Sequence, residues 1–159
     1  MMASSIKDGE DAVELLLQRG ADVTMTNNNG QTALHFTASK NNLDIAKRLI
    51  AHKASARTKD KRGQLPLHRA AAIGSLPMIK LLLSSRSPVN ATDVDGLTAL
   101  HHAISEGHGE AAMQLLREGA ESDKRDLGGQ LPIDLAPDGK IRNYILQSAE
   151  REGIEIQQT

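Results

Sequence analysis

Four glycines recur at a constant spacing of 33 residues, at Gly30, Gly63, Gly96 and Gly129. Each glycine opens a similar hexapeptide, and the four hexapeptides read GQTALH, GQLPLH, GLTALH and GQLPID. A leucine-rich stretch keeps the same register, at residues 15–17, 49–50, 81–83 and 115–116. Periods of about 20–50 residues are typical of solenoids, in which one small structural unit is repeated and stacked. The spacing therefore predicts an elongated stack of similar units.

Each unit reads as a turn, a short helix, a second turn, a second helix and a loop. In the second unit, Pro66 stands in the first turn of a helix, where its missing N–H leaves no hydrogen bond unmade. Gly74 ends that helix, and residues 78–83 supply the apolar stripe of the next one. A single unit cannot bury its own apolar face, whereas stacked neighbours can. We therefore expect an all-α fold with only short β-hairpins at the turns.

The period and the hexapeptides resemble the ankyrin repeat, whose turn carries Gly-x-Thr-Pro-Leu-His. The resemblance extends over about residues 10–148 and implies an ankyrin-repeat solenoid of about four full units. We expect a single domain at residues 1–153 and a flexible tail at 154–159. Residues 1–26 hold a partial unit, with a second helix at 10–19, so we expect earlier repeats to be missing. The full units span 27–59, 60–92, 93–125 and 126–152, the last as a C-terminal cap.

Composition excludes several classes of function. The chain has one Phe, one Tyr and no Trp, so its core must be aliphatic, which suits thin repeated layers. A net charge of −1 argues against a general nucleic-acid binder, and the lack of cysteine excludes disulfides and thiolate metal sites. No apolar run is long enough to span a bilayer, and the N-terminus lacks the apolar segment of a signal peptide. We expect a soluble, intracellular monomer.

Recurrent polar residues are predicted to be structural. His35, His68 and His101 occupy one repeat position, and we expect them to hydrogen-bond the turn of their own or the adjacent unit rather than to bind a metal. Aspartates recur three residues before the repeat glycine, where an Asp side chain typically bonds its own backbone; these are Asp60, Asp93 and Asp126. No pattern of nucleophile, base and orienting group is visible, so we expect neither an enzyme nor a bound cofactor or metal.

The candidate binding residues are those that differ between units. Residues packed between units must be alike, whereas residues that differ at equivalent positions are free to face a partner. In ankyrin folds the hairpin tips and the inner helices line a concave face, which the resemblance places here at Lys40, Lys59, Lys61, Arg62, Arg69, Ile73, Asp95, His102 and Glu106. This face is basic in its early part and acidic in its later part. The competing interpretation is a solvated surface of mixed charge that has no partner.

More specific sequences resemble the gankyrin family, including its fungal members. They are residues 67–79, which read LHRAAAIGSLPMI, residues 38–46, and the pair Lys59-Asp60. The resemblance implies a chaperone for assembly of the proteasome regulatory particle, which binds the C-terminal domain of one proteasomal ATPase subunit through its concave face. It also implies that Lys59 and Arg69 lie at contact positions, and that the protein acts in the cytoplasm and the nucleus. Family members have about seven repeats, more than this chain holds.

A second hypothesis fits the number of units in the chain. Four to five repeats are also typical of a generic ankyrin adaptor or a kinase-inhibitor-like protein, which would bind another partner. The two hypotheses differ in partner and not in fold, because many unrelated functions share one fold.

Overall fold

A computed structural model describes residues 22–158 of the chain. The partial unit predicted at 1–26 lies mostly outside these residues, and its helix at 10–19 lies wholly outside them. The described part contains seven α-helices and one short 3-10 helix. They are α1 (Ala33–Lys40), α2 (Leu43–Ala51), α3 (Pro66–Ile73), α4 (Leu76–Ser84), α5 (Ala99–Ser105), α6 (Gly109–Arg117), the 3-10 helix (Pro132–Leu135) and α7 (Gly139–Glu152).

The helices form two layers. The inner helices α1, α3, α5 and the 3-10 helix pack on one another in chain order, and the outer helices α2, α4, α6 and α7 do the same. Each unit contacts its neighbours, so its apolar side chains are buried only by stacking. The inner layer buries one aliphatic residue per unit at the same repeat position, namely Leu34, Leu67, Leu100 and Ile133. This arrangement confirms the predicted all-α solenoid.

The inner helices begin in two ways. In α1 and α5 the residue before the helix is a threonine; the hydroxyl of Thr32, for example, accepts a hydrogen bond from the N–H of His35. In α3 and the 3-10 helix a Leu-Pro pair stands there, and proline removes one of the N–H donors that a helix start leaves unpaired. The hexapeptides therefore alternate between Thr-Ala and Leu-Pro because either pair reduces the number of unpaired N–H groups at the start of the inner helix.

The fourth unit differs from the prediction in its inner helix. Only four residues are helical, and they form a 3-10 helix that ends at Leu135. The reason is Pro137, because a proline drives the preceding residue away from helical geometry; Ala136 has φ −55° and ψ 127°. The long helix α7 then covers the end of the stack.

Residues 154–158, which we expect to be a flexible tail, lie against the preceding unit in the structure. Ile154 and Ile156 are half-buried against the core. The Ser122 hydroxyl donates to the carbonyl of Glu155 at 3.2 Å and accepts from the N–H of Gln157 at 3.0 Å. Alternating apolar residues let this extended segment bury one face, so ordered packing continues beyond residue 153.

Adjacent hairpin turns are joined by single hydrogen bonds. The N–H of Lys61 donates to the carbonyl of Asn29 at 2.9 Å, and Val94 donates to Arg62 at 2.9 Å. Leu127 completes the series by donating to Asp95 at 3.0 Å. One bond per pair of turns is too little for a sheet, and residues 22–158 contain no β-strand. The predicted β-hairpins are thus a row of linked turns.

Candidate functional site

Each turn is built on one side-chain oxygen. Oδ1 of Asp60 accepts hydrogen bonds from the N–H groups of Arg62 and Gln64, both at 2.9 Å. Oδ1 of Asp93 does the same for the two equivalent N–H groups one unit later, at 2.9 and 3.0 Å. Asp126 accepts from the N–H of Gln130 at 2.8 Å. The predicted role of these aspartates in turn formation is confirmed.

The second carboxylate oxygen of two of these aspartates binds a cation or histidine on the inner helix. Oδ2 of Asp60 lies 3.1 Å from a guanidinium nitrogen of Arg69. Oδ2 of Asp93 lies 3.0 Å from Nε2 of His102, which occupies the equivalent position one unit later. The aspartate side chains are only 1% and 2% exposed. Arg69 and His102, selected from the sequence as partner-facing residues, are therefore already engaged within their own units.

The environment keeps both aspartates ionised. Burial alone would raise the pKa of Asp60, but hydrogen bonds from the Gln64 N–H, the Arg69 guanidinium and the Arg62 N–H outweigh burial and lower it. For Asp93, burial is likewise outweighed, mainly by the hydrogen bond to His102, and its pKa is also lowered. The turns thus carry fixed negative charges that hold Arg69 and His102 in place.

Two of the three recurrent histidines, His35 and His101, connect successive units. Nδ1 of His35 accepts from the N–H of Thr32 at 3.0 Å, so Nε2 carries the proton and donates to the carbonyl of Gln64 in the next unit at 2.9 Å. His101 bonds Thr98 and Gln130 in the same way. The predicted structural role of these histidines is confirmed. In residues 22–158, no group of three or more His, Asp and Glu side chains is arranged to hold a metal ion.

His68 departs from this scheme. Its Nδ1 accepts from the N–H of Leu65 at 2.9 Å, but its Nε2 lies 3.1 Å from the carbonyl of Ala91, in its own unit. Its ring also meets that of His102 edge-on, with 5.5 Å between the ring centroids. Burial, and then the neighbouring His102, lower the pKa of His68 from its ordinary value of 6.5 to about 4. Protonation would place a hydrogen on Nδ1 and break the bond to Leu65.

The protein should therefore lose stability in mild acid. The unfolded chain takes up a proton on His68 near pH 6.5, whereas the folded chain resists protonation until about pH 4. The contribution of His68 to the free energy of unfolding is complete above pH 6.5. It is lost as the pH falls toward 4, and the loss is roughly 3 kcal/mol at most. Urea unfolding at several pH values measures this loss.

His68→Asn is the matched variant for this measurement. An amide oxygen can accept from the Leu65 N–H without titrating, just as Asp134 accepts from the Leu131 N–H at 2.9 Å in the last unit. We expect the variant to show a shallower loss of stability between pH 6.5 and 4. Parallel pH profiles for the two proteins would contradict the role given to His68.

The remaining candidate residues form two rows. The tip row comprises the exposed residues of the linked turns, and among those predicted it contains Lys61, Arg62 and Asp95. The helix-end row lies where the inner helices finish, and its members, all exposed, are Lys40, Ile73 and Glu106. Arg69 and His102 lie on the inner helices between the two rows. The structure thus places these eight candidates on the turns and inner helices of successive units.

Lys59 is held by the next unit. Its ammonium group donates to the carbonyl of Thr92 at 3.0 Å, on an exposed part of the arm that leads to the turn. By contrast, Lys61 and Arg62 form no ion pair with any other residue of 22–158. Both side chains are exposed, so their positive charges are available to a partner at the tip row.

The surface between the rows is only shallowly indented. A depression of about 180 Å³ is lined by Lys61, Arg62, Asp60, Arg69, Asn29 and Gln31. A neighbouring one of about 130 Å³ includes Phe36 and Lys40. Both are smaller than the roughly 300–1,000 Å³ usual for small-molecule pockets. The arrangement suits an extended macromolecular contact.

Charge is strongly divided along the stack. Residues 22–94 contain 11 Lys and Arg against 4 Asp and Glu, a net charge of +7. Residues 95–158 contain 6 against 12, a net charge of −6. The near-neutral total of the sequence hides this division. The predicted change from a basic to an acidic surface thus extends beyond the candidate residues, because the net charge of the units themselves changes sign along the stack.

The tip row also contains two exposed apolar residues, Val94 and Leu127. Val94 is one of the positions that differ between units, whereas Leu127 was not predicted. The sequence could have identified both residues, because the turn position that they share is polar in the earlier units, where it holds Asn28 and Lys61.

Comparison with known proteins agrees with this architecture. A family model described as ankyrin repeats (3 copies) matches residues 1–93 and, separately, residues 69–158. No curated protein matches the chain. None of the helices in residues 22–158 combines the length and the apolar character that crossing a membrane requires.

Proposed function

The chain belongs to the ankyrin-repeat family, and on that premise we propose that its tip row and helix-end row form one binding surface for a protein partner. Ankyrin-repeat proteins are typically scaffolds for protein–protein interaction and not enzymes. A partner that covered both rows would bury about 1,200–2,000 Å² in total, the range of a stable specific interface.

The specific partner that we propose is the C-terminal domain of a proteasomal ATPase subunit. The protein would then be a chaperone for assembly of the 26S proteasome regulatory particle, acting in the cytoplasm and the nucleus. Residues 67–79, with their resemblance to the gankyrin family, support this proposal. The charge division supports it as well, because a helical domain with acidic and basic regions in the opposite order would be steered into one orientation.

The alternative is an adaptor or kinase-inhibitor-like role. The number of units favours it, since residues 27–152 contain four repeats. Both functions would use the same surface, and only the identity of the partner separates them.

A charge-reversal experiment tests the proposal. Lys61→Glu combined with Arg62→Glu should weaken binding of the ATPase C-terminal domain about ten- to hundredfold at low salt, because exposed charges at an interface act mainly through encounter and orientation. The difference from wild type should shrink between about 0.1 M and about 1 M salt, where the Debye length falls from about 10 Å to about 3 Å. Isothermal titration calorimetry measures both effects.

The matched control reverses two exposed charges on the outer helices, Lys47→Glu with Lys80→Glu. It changes net charge by the same amount but leaves the tip row intact, so its affinity should stay close to that of wild type. Equal losses in the two variants would show that net charge, and not this surface, governs binding. If the wild-type chain captures another protein and not the ATPase domain, the adaptor role takes the place of the chaperone role.

A further inference from the structure

The tip row changes character along the stack. Its first two turns carry Asn28 and Lys61 at the outermost position, whereas the next two carry Val94 and Leu127. Val94 is 59% exposed and Leu127 is 79% exposed, so neither side chain contributes much to the core. A single exposed apolar residue is ordinary on a protein surface. Two at the same position of neighbouring turns form a local surface feature.

These two side chains are held in a fixed relation. Val94 and Leu127 belong to adjacent turns, which are joined by the hydrogen bond from the Leu127 N–H to the Asp95 carbonyl at 3.0 Å. The Val94 N–H is in turn bonded to the carbonyl of Arg62, at 2.9 Å. Two unpaired cations, Lys61 and Arg62, therefore directly adjoin an apolar pair along one row.

We propose, building on the proposed function, that this row receives one amphipathic helix of the partner. Acidic residues of that helix lie at Lys61 and Arg62, and its apolar residues cover Val94 and Leu127. One end of the partner helix should be acidic, because Lys61 and Arg62 have no ion-pair partner among residues 22–158. The other end should be apolar, because contact with it would remove the side chains of Val94 and Leu127 from water.

The stacking distance fixes the residue pattern of that helix. Packed helices lie about 8–10 Å apart, and the turns repeat with the inner helices. An α-helix rises about 1.5 Å per residue, so successive turns correspond to steps of about five to seven residues. Residues seven apart lie on nearly the same side of a helix. The partner helix should thus carry an acidic residue followed by two apolar residues, each about seven positions further on.

The test uses the ATPase C-terminal domain as the probe, with Val94→Ser combined with Leu127→Ser. We expect affinity to fall at least tenfold, with the loss persisting at about 1 M salt, where the effect of the Lys61 and Arg62 reversals fades. Met25→Ser is the control, because Met25 is similarly exposed, at 68%, but precedes the first of the linked turns. Unchanged urea unfolding would show that both variants stay folded.

The outcomes separate the two proposals. A tenfold or greater loss that survives high salt, with no loss in the control, supports the helix-binding row. Wild-type binding with a smaller loss in the double variant overturns the row and leaves the proposed function standing. No binding by the wild-type chain overturns the proposed function and this inference with it.

Discussion

Replacing Asp60 with alanine is expected to destabilise the protein by about 3–5 kcal/mol, the usual effect of removing one partner of a buried ion pair. The carboxylate satisfies the N–H groups of Arg62 and Gln64 and binds the Arg69 guanidinium. Nε of Arg69 is already buried without a hydrogen-bond partner. The variant would leave two N–H groups and a charge uncompensated. Urea unfolding at neutral pH measures the loss.

The first described unit provides the matched control. There Asn27 stands where Asp60 stands, and its Oδ1 accepts from the N–H groups of Asn29 and Gln31 at 2.9 and 3.0 Å. The residue equivalent to Arg69 is Phe36, which carries no charge. Asp60→Asn alone should be destabilising because it leaves the Arg69 guanidinium without its carboxylate partner. Combining Asp60→Asn with Arg69→Phe should recover much of the lost stability. A double variant no more stable than Asp60→Asn would disprove the coupling.

Gly96→Ala is expected to cost about 2–5 kcal/mol. Gly96 has φ +77°, which costs an L-residue about 1–2 kcal/mol. The added Cβ would also lie 2.9 Å from the Leu127 nitrogen and 3.2 Å from the Asp126 Cα, both backbone atoms of the next turn. Relieving that contact should cost about 1–3 kcal/mol more. Thermal and urea unfolding of the variant measure the sum.

Substitution of Gly129 distinguishes the cost of the positive φ from the cost of the close contact with the next turn. Its φ is +81°, but no atom lies within 4 Å of the position where its Cβ would stand. Gly129→Ala should thus show the backbone cost alone, about 1–2 kcal/mol. If both variants lost the same stability, the close approach of neighbouring turns would contribute nothing.

The fold was predictable because it depends on local and repeated signals. The glycine period fixed the stacking of units, and the equivalence of His35, His68 and His101 pointed to one repeated hydrogen-bonding role. The recurrent aspartates predicted the turns because an Asp side chain bonds backbone two to four residues away. The early end of the fourth inner helix was also encoded, in Pro137.

The pairing of Arg69 with Asp60 was not predictable in the same way. The two residues are nine positions apart, one in a turn and one on a helix, and no helical or strand periodicity relates them. Only the packing of the turn onto the helix brings the carboxylate and the guanidinium together. Positions that differ between units therefore include internal pairs as well as surfaces free to bind. Exposure in the folded chain separates Lys61 and Arg62 from Arg69.

The linked turns have a consequence for how such a gene can change. At each junction the contact is a backbone hydrogen bond between equivalent turn residues, and it involves no side chain specific to one unit. An in-frame duplication of 33 codons that copied residues 60–92 would present the same carbonyl of Arg62 and the same N–H of Lys61 at the new junction. The chain can thus lengthen or shorten by whole units while its reading frame and stacking register stay intact, and the variable turn residues can then diverge one unit at a time.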